Sequence, residues 1–209
     1  MKQGLLRRFA LLLALLVLGG SASARRLQIG VRGGINTADF RFSPVTLGDD
    51  QFVAGPSRMG IEAGLVVRFN LSQYVHLQSE LNGTCVNYAL RHCSEGRYRS
   101  DIRMRSERLE LPVQLGFQFG PVRLFGGPSF RLHSVLKSGR PGLVKVGFDN
   151  NRTAWMGGLG VNIKHFFIDV RIQGYPSARH TASFIGDGQV KRVRTTSDLV
   201  YGGSLGFFF

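Results

Sequence analysis

Nine ionisable residues stand at alternate positions within otherwise apolar runs: Arg32, Glu62, Arg68, Glu80, Arg108, Glu110, Arg123, Asp169 and Arg171. Alternate residues of a strand share a face, so these side chains are expected to project to one side of a sheet whose other side is greasy. Arginines and carboxylates gathered there have two uses. They can close the space as a plug of ion pairs, because a lone buried charge is costly and a partner offsets it. They can instead line a narrow path for ions or water. The plug is the expectation, and the narrow channel is kept as the alternative.

A second group, Arg97, Arg99, Arg103 and Arg105, alternates ahead of Leu109. If this segment continues the following strand, all four share the outward face of Leu109. They would then form a ladder of guanidinium groups suited to bidentate phosphate contacts. A single bulge would invert that facing. Lys191, Arg192 and Arg194 form a further basic patch.

His133 with Ser134, and His180 with Ser183, are the pairs that could support nucleophilic catalysis, with Asp187 or Asp198 as orienting groups. Such catalysis needs a base within reach of the hydroxyl and a third group to hold it. Nothing in the spacing imposes that geometry, so no catalytic residues are assigned and no enzyme is expected. Hydrolysis or acyl transfer on lipid remains the third alternative. Gly157-Gly-Leu-Gly160 precedes a strand rather than a helix and is no nucleotide loop. No cofactor or metal is expected, since His92 is the only other soft ligand near Cys85 and Cys93. In an exported chain these two cysteines are expected to pair, closing a short loop worth ~2–3 kcal/mol.

Export is read from the first residues. Lys2, Arg7 and Arg8 precede ten consecutive apolar residues, 9–18, and Ala22-Ser-Ala24 offers small residues for cleavage. Ten residues of helix cover about 15 Å, against the ~30 Å of a bilayer core. Residues 1–24 therefore read as a signal peptide rather than a retained anchor, and 25–209 as a single domain. The formal charge of +14 would point to nucleic acid in a cytoplasmic protein. For an exported one the available polyanion is lipopolysaccharide phosphate.

The elements that must position these residues are strands. Alternation is followed eight times after the leader. The apolar faces are Leu27–Ile35, Met59–Phe69, Val75–Leu81, Leu109–Phe119, a less regular run around Val122–Leu132, Trp155–Ile163, Ile168–Ile172 and Leu199–Phe209. In the fifth, Phe125 shares a face with Arg123 and Arg131. The last sets Leu199, Tyr201, Leu205, Phe207 and Phe209 against Asp198, Gly202, Ser204 and Gly206. The connections alternate in length: long and polar at 41–57, 89–106, 133–151 and 176–196, short at 70–73, 120–121 and 164–165. No second apolar stretch could form a transmembrane helix, so a membrane destination requires a closed sheet. The chain has 28 glycines, and they sit inside the runs (Gly30, Gly60, Gly64, Gly116, Gly158, Gly160, Gly206) rather than only at turns, where they would relieve crowding and permit curvature. Aromatics at run ends (Phe40, Phe69, Tyr74, Phe119, Trp155, Phe166, Phe209) are placed as interfacial girdles would be. A soluble sandwich or lipocalin-like barrel would carry polar outward faces, which these are not.

Four segments, Gly30-Val-Arg-Gly-Gly-Ile-Asn36, Leu109-Glu-Leu-Pro-Val-Gln-Leu115, Gly126-Gly-Pro-Ser-Phe130 and the closing 203–209, together resemble the small PorT-type outer-membrane β-barrel family of Gram-negative bacteria. The terminal Phe209 resembles the sorting signal read by the barrel-assembly machinery. The eight runs, with four long connections on one side and three short ones on the other, put both termini on the turn side, which is periplasmic in such a barrel. The expectation is an all-β, eight-stranded antiparallel up-and-down transmembrane barrel, and the resemblance likewise implies an eight-stranded barrel in the outer membrane. It implies no catalytic residues, and it admits a role in assembling a secretion machinery. The combined expectation is a non-enzymatic envelope barrel whose basic loops, Arg97, Arg99, Arg103 and Arg105 foremost, contact lipopolysaccharide or a protein partner, and not nucleic acid.

Overall fold

The computed structural model describes residues 26–94, 96–139, 144–147, 153–174, 181–186 and 189–209. The leader, His180 and Asp187 lie outside the described residues, as do the side chains of Phe40, Ser183, Lys191, Arg192, Arg194 and Asp198. The strands are β1 (Leu27–Phe42), β2 (Val45–Leu47), β3 (Asp50–Ala54), β4 (Met59–Asn70), β5 (Val75–Ser94), β6 (Arg97–Phe119), β7 (Val122–Ser138), β8 (Val144–Gly147), β9 (Thr153–Ile163), β10 (Phe166–Gly174), β11 (Thr181–Gly186) and β12 (Gln189–Phe208).

Eight of them, β1, β4, β5, β6, β7, β9, β10 and β12, are hydrogen-bonded in that order, and β12 returns to pair with β1. Every ring pairing is antiparallel. These strands carry the eight alternating runs. Closure leaves no unpaired edge, which satisfies the backbone wherever it meets lipid. Among the described residues no helix is long and apolar enough to cross a membrane.

Burial follows the period of two. Ile29, Val31 and Ile35 of β1, Ile61 and Leu65 of β4, Leu115 and Phe117 of β6, and Ile168, Val170 and Ile172 of β10 are exposed on the outer wall. Their sequence neighbours Arg32, Glu62, Gln114, Asp169 and Arg171 are buried inside. The polarity of a soluble domain is thus inverted, as a lipid-facing wall requires.

Three tight turns close one end. Gly120, at φ 59°, opens the Gly120-Pro121 loop between the paired Phe119 and Val122, and Lys164, at φ 55°, opens the loop before His165. In the β4–β5 connection the Ser72 hydroxyl accepts from the amides of Tyr74 and Val75, at 3.1 and 3.0 Å.

The opposite end departs from the expectation of long polar loops. Residues 41–57 contain a hairpin, β2–β3, turning at Gly48 (φ 56°) and pairing through β3 with β5. The Gly-Asp turn between Leu47 and Asp50 is a local signal for it. Its Val45, Leu47 and Phe52 are buried with Ala38, Val86, Tyr88, Leu90, Ile102, Met104 and Val200 in an apolar cluster above the polar interior. Residues 89–106 are likewise not a loop: most of them extend β5 and β6 as a long paired ribbon. The backbones of β8 and β11 extend β12 in the same region.

Inward glycines make room for the interior. A Cβ on Gly206 would lie 2.0 Å from the Phe167 ring, and one on Gly116 would lie 2.1 Å from the His76 ring. Gly127 is held by backbone rather than side chain: its Cβ would stand 2.1 Å from the Val113 carbonyl oxygen, while Gly203 has nothing within 4 Å. Gly127→Ala is therefore expected to destabilise by about 1–3 kcal/mol through forced strand displacement, and Gly203→Ala to cost little or stabilise slightly. Urea unfolding in a lipid or detergent host, followed by tryptophan fluorescence, checks the pair.

Candidate functional site

The interior is built around Glu80 of β5. Its Oε2 accepts from Arg32 of β1 at 2.5 Å, Arg171 of β10 at 3.2 Å and Asn82 at 2.6 Å. Its Oε1 accepts from Gln78 at 2.7 Å and Gln114 of β6 at 2.8 Å. Glu62 of β4 completes a ring of four charges, accepting from Arg32 at 2.7 Å and Arg171 at 2.5 Å. Arg32 also donates to the Ser204 hydroxyl of β12 at 2.5 Å. Four ring strands thus place two arginines between two carboxylates.

Arg123 of β7 pairs with both oxygens of Asp169 and donates to Gln78 at 2.9 Å. Phe125 lies beneath its guanidinium, 5.0 Å from the ring centroid, which explains why an aromatic shares that inward face. Above, Glu110 stands 3.9 Å from Arg131 and accepts from Gln173 at 3.0 Å, while Arg108 meets Ser106 at 3.0 Å and the Tyr88 hydroxyl. All nine residues singled out from the alternation are buried in the lumen. Arg131, Gln78, Gln114, Asn82 and Gln173 complete the network and were not singled out. Their signal was available, since each lies an even number of positions from a residue that was.

Arg68 has no carboxylate within salt-bridge distance among the described residues. It donates to Gln78 at 2.8 Å and Asn162 at 3.3 Å, and its guanidinium sits 4.4 Å over the Phe208 ring. Within the ion-pair network a void of about 10 Å³ lies between Glu62, Arg108, Glu110 and Arg171, room for one water. Phe167, Phe208 and Val66 pack together below and the apolar cluster closes above.

The outer wall carries the basic residues. Arg103 and Arg105 hold the outward face of Leu109, as expected. Arg97 and Arg99 do not continue it. The β5–β6 register shifts where His92 faces Ser100 and Cys93 faces Tyr98, so Arg99 falls in the bulge and Arg97 takes the opposite phase. Arg58 and Lys137 replace them. Arg58 reaches Asp101 at 3.5 Å, and Glu107 accepts from Lys137 at 3.0 Å and meets Arg105 at 3.3 Å. Met59, Asn87, Arg105 and Lys137 face one another across β4–β7, immediately above the row holding Ile61, Cys85, Glu107 and Val135. Met59, Asn87, Arg105 and Lys137, with Arg58 and Arg103, border a groove of about 540 Å³. The cations therefore stand where the apolar wall ends.

Two other sequence readings are settled by placement. Cys85 and Cys93 are both free thiols. They lie eight positions apart on the single strand β5, which separates them by about 26 Å, far beyond disulfide reach. The expected bridge does not form, because the segment read as a loop is strand. His133 lies exposed on the outer wall while Ser134 faces the other way, so adjacent positions on a strand keep base and hydroxyl apart. Among the described residues no group of His, Cys, Asp and Glu could hold a metal. His92 is engaged elsewhere, 3.0 Å from Asp50 and stacked 4.9 Å from the Phe52 ring. That contact and the Ser94 hydroxyl hold the Asp50 carboxyl below the usual carboxylate range and fasten β3 to β5.

Comparison with known proteins agrees with this architecture. The family model described as outer membrane protein beta-barrel domain matches residues 19–174. Among solved structures, the outer membrane protein OprG from Pseudomonas aeruginosa aligns over 87% of this chain and 95% of its own, with a TM-score of 0.53 at 14% identity. AlkL in lipid bilayers aligns over 90% and 93%, with a TM-score of 0.47 at 9% identity. Ail of Yersinia pestis, in complex with the heparin analogue sucrose octasulfate, aligns over 88% and 99%, with a TM-score of 0.45 at 12% identity. No curated protein matches the chain.

Two measurements follow from this geometry. Glu80→Gln leaves Arg32 and Arg171 undercompensated and is expected to cost about 3–5 kcal/mol, whereas Glu107→Gln on the exposed wall leaves the urea midpoint unchanged. Cys85 and Cys93 are expected to take up a maleimide without prior reduction, and electrophoretic mobility should be the same with and without reductant.

Proposed function

The chain belongs to the outer membrane protein beta-barrel domain family, whose members reside in the outer membrane, and from that premise we propose a non-enzymatic, non-conducting eight-stranded transmembrane barrel. Its tight turns and both termini face the periplasm. Its loop-side outer wall binds the phosphates of lipopolysaccharide. The ring order supports the strand number, and the alternation of tight turns with a tall loop end supports the orientation.

The observation that carries the function is the basic row at the upper limit of the apolar wall. Arg58, Arg103, Arg105 and Lys137 border one groove with the exposed Met59, against two acids, Asp101 and Glu107. The pairs of Arg105 and Lys137 with Glu107 are solvent-exposed and weak, so a phosphate can displace them, while the Arg58–Asp101 contact is half-buried. An apolar side chain beside cations suits a lipid that presents acyl chain and phosphate together. Lipopolysaccharide is such a lipid.

The plugged lumen speaks against the channel alternative, because an eight-stranded interior is just wide enough to be filled by side chains. The separation of His133 from Ser134 removes one of the two nucleophile–base pairs of the lipid-modifying alternative; the other rests on His180 and the Ser183 side chain, which lie outside the described residues. Replacing Arg103, Arg105 and Lys137 together by Gln is expected to reduce lipopolysaccharide retained through mild-detergent purification several-fold. Planar bilayers containing the unaltered protein should show no discrete conductance steps. Undiminished retention would overturn the lipid reading, and steps abolished by closing the lumen further would favour the channel.

A further inference from the structure

Among the described residues, six arginines (32, 68, 108, 123, 131 and 171) and four carboxylates (62, 80, 110 and 169) are buried inside the ring. Among these ten the cations outnumber the anions by two, in a medium where an uncompensated charge is expensive. The acids are concentrated in the middle and upper layers. Arg68, only 3% exposed, lies at the turn end, where its side-chain contacts are the neutral Gln78 and Asn162 and the Phe208 ring. Its Nη2 has no hydrogen-bond partner.

Arg68 lies at the inner wall of a vestibule of about 460 Å³ that opens at the turn end. Arg26 and Lys164 stand on its rim, and its remaining polar lining is neutral amide and hydroxyl, Asn162 and Gln118 among them; no carboxylate side chain lines it. Asn162 donates to Gln118 at 2.9 Å while accepting from Arg68, so the amides are held in place beside the guanidinium. Three cations, fixed amide donors and no side-chain acid form a cradle for an anion, with Arg68 as the buried charge that an anion would compensate.

We propose that this turn-side vestibule binds a small oxyanion of the phosphate class, free or as a monoester on a sugar-sized body. The site is separate from the loop-side groove. It lies at the other end of the ring and uses none of the same residues. A phosphate there offsets the buried charge of Arg68 and ties β1, β4, β6 and β9 together at their turn-side ends.

The test uses the full mature chain in nanodiscs, titrated with inorganic phosphate and with glucose 1-phosphate while backbone amide resonances are followed. Saturable shifts at Gln118, Asn162 and Lys164 are expected. Both Arg68→Gln and Lys164→Asn should weaken them about tenfold, the effect of losing one charge-assisted contact. Asparagine tolerates the positive φ of position 164, so the second variant keeps the turn if the first disturbs folding. Phosphate should also raise the unfolding temperature of the unaltered protein and not that of Arg68→Gln. Tighter binding of the ester identifies a substituted ligand, and equal binding identifies free phosphate. Shifts confined to Arg103, Arg105 and Lys137, or turn-side shifts unchanged in both variants, would overturn the proposal.

Discussion

The structure depends on satisfying charged groups that closure forces inward. Once the sheet pairs β12 with β1, the inner face has no solvent to turn to, and each ionisable side chain must find its partner across the lumen. Glu80 meets that constraint for the whole ring. Five donors on four strands converge on its two oxygens, so the register of each strand is pinned by a contact on a distant one. A one-residue slip would carry an arginine to the lipid face and leave a carboxylate without its partner.

The glycines and the interior side chains are two halves of the same solution. A narrow ring cannot hold large groups on every strand at one height, so Phe167 and His76 face Gly206 and Gly116 across the ladder. The aromatic rings also serve the charges. Phe208 and Phe125 lie against Arg68 and Arg123, where π faces take up part of the electrostatic demand that carboxylates do not meet.

The two ends of the ring divide the remaining roles. The loop end is sealed by apolar packing of the β2–β3 hairpin against β5 and β6, and its cations are turned to the outside of the wall. The turn end stays open and polar, with its cations turned inward. Arginine thus stands on the outer face of the wall at one end and against the open vestibule at the other.

The inward and outward faces were legible in the sequence, because a period of two leaves no freedom once one residue of a strand is placed. That pattern identified the strands of the ring, the short turns and all nine lumen charges. Where reading along the chain failed, a second strand decided the outcome. The shift opposite His92 and Cys93 removed Arg97 from the arginine row, and Arg58, just ahead of β4, and Lys137 of β7 entered it. Extending β5 through residues 85–93 parted the cysteines that a loop would have brought together. The partners of Arg32 stand 30, 48 and 172 positions away, distances at which local pattern carries no information. The sequence by itself determined which side of the wall a residue faces wherever a strand runs unbroken, through its alternation; where the register shifts, opposite His92 and at Leu132, the pairing reset it. The tertiary structure alone decided which residues meet, since register and closure are properties of pairs of strands and of the ring as a whole.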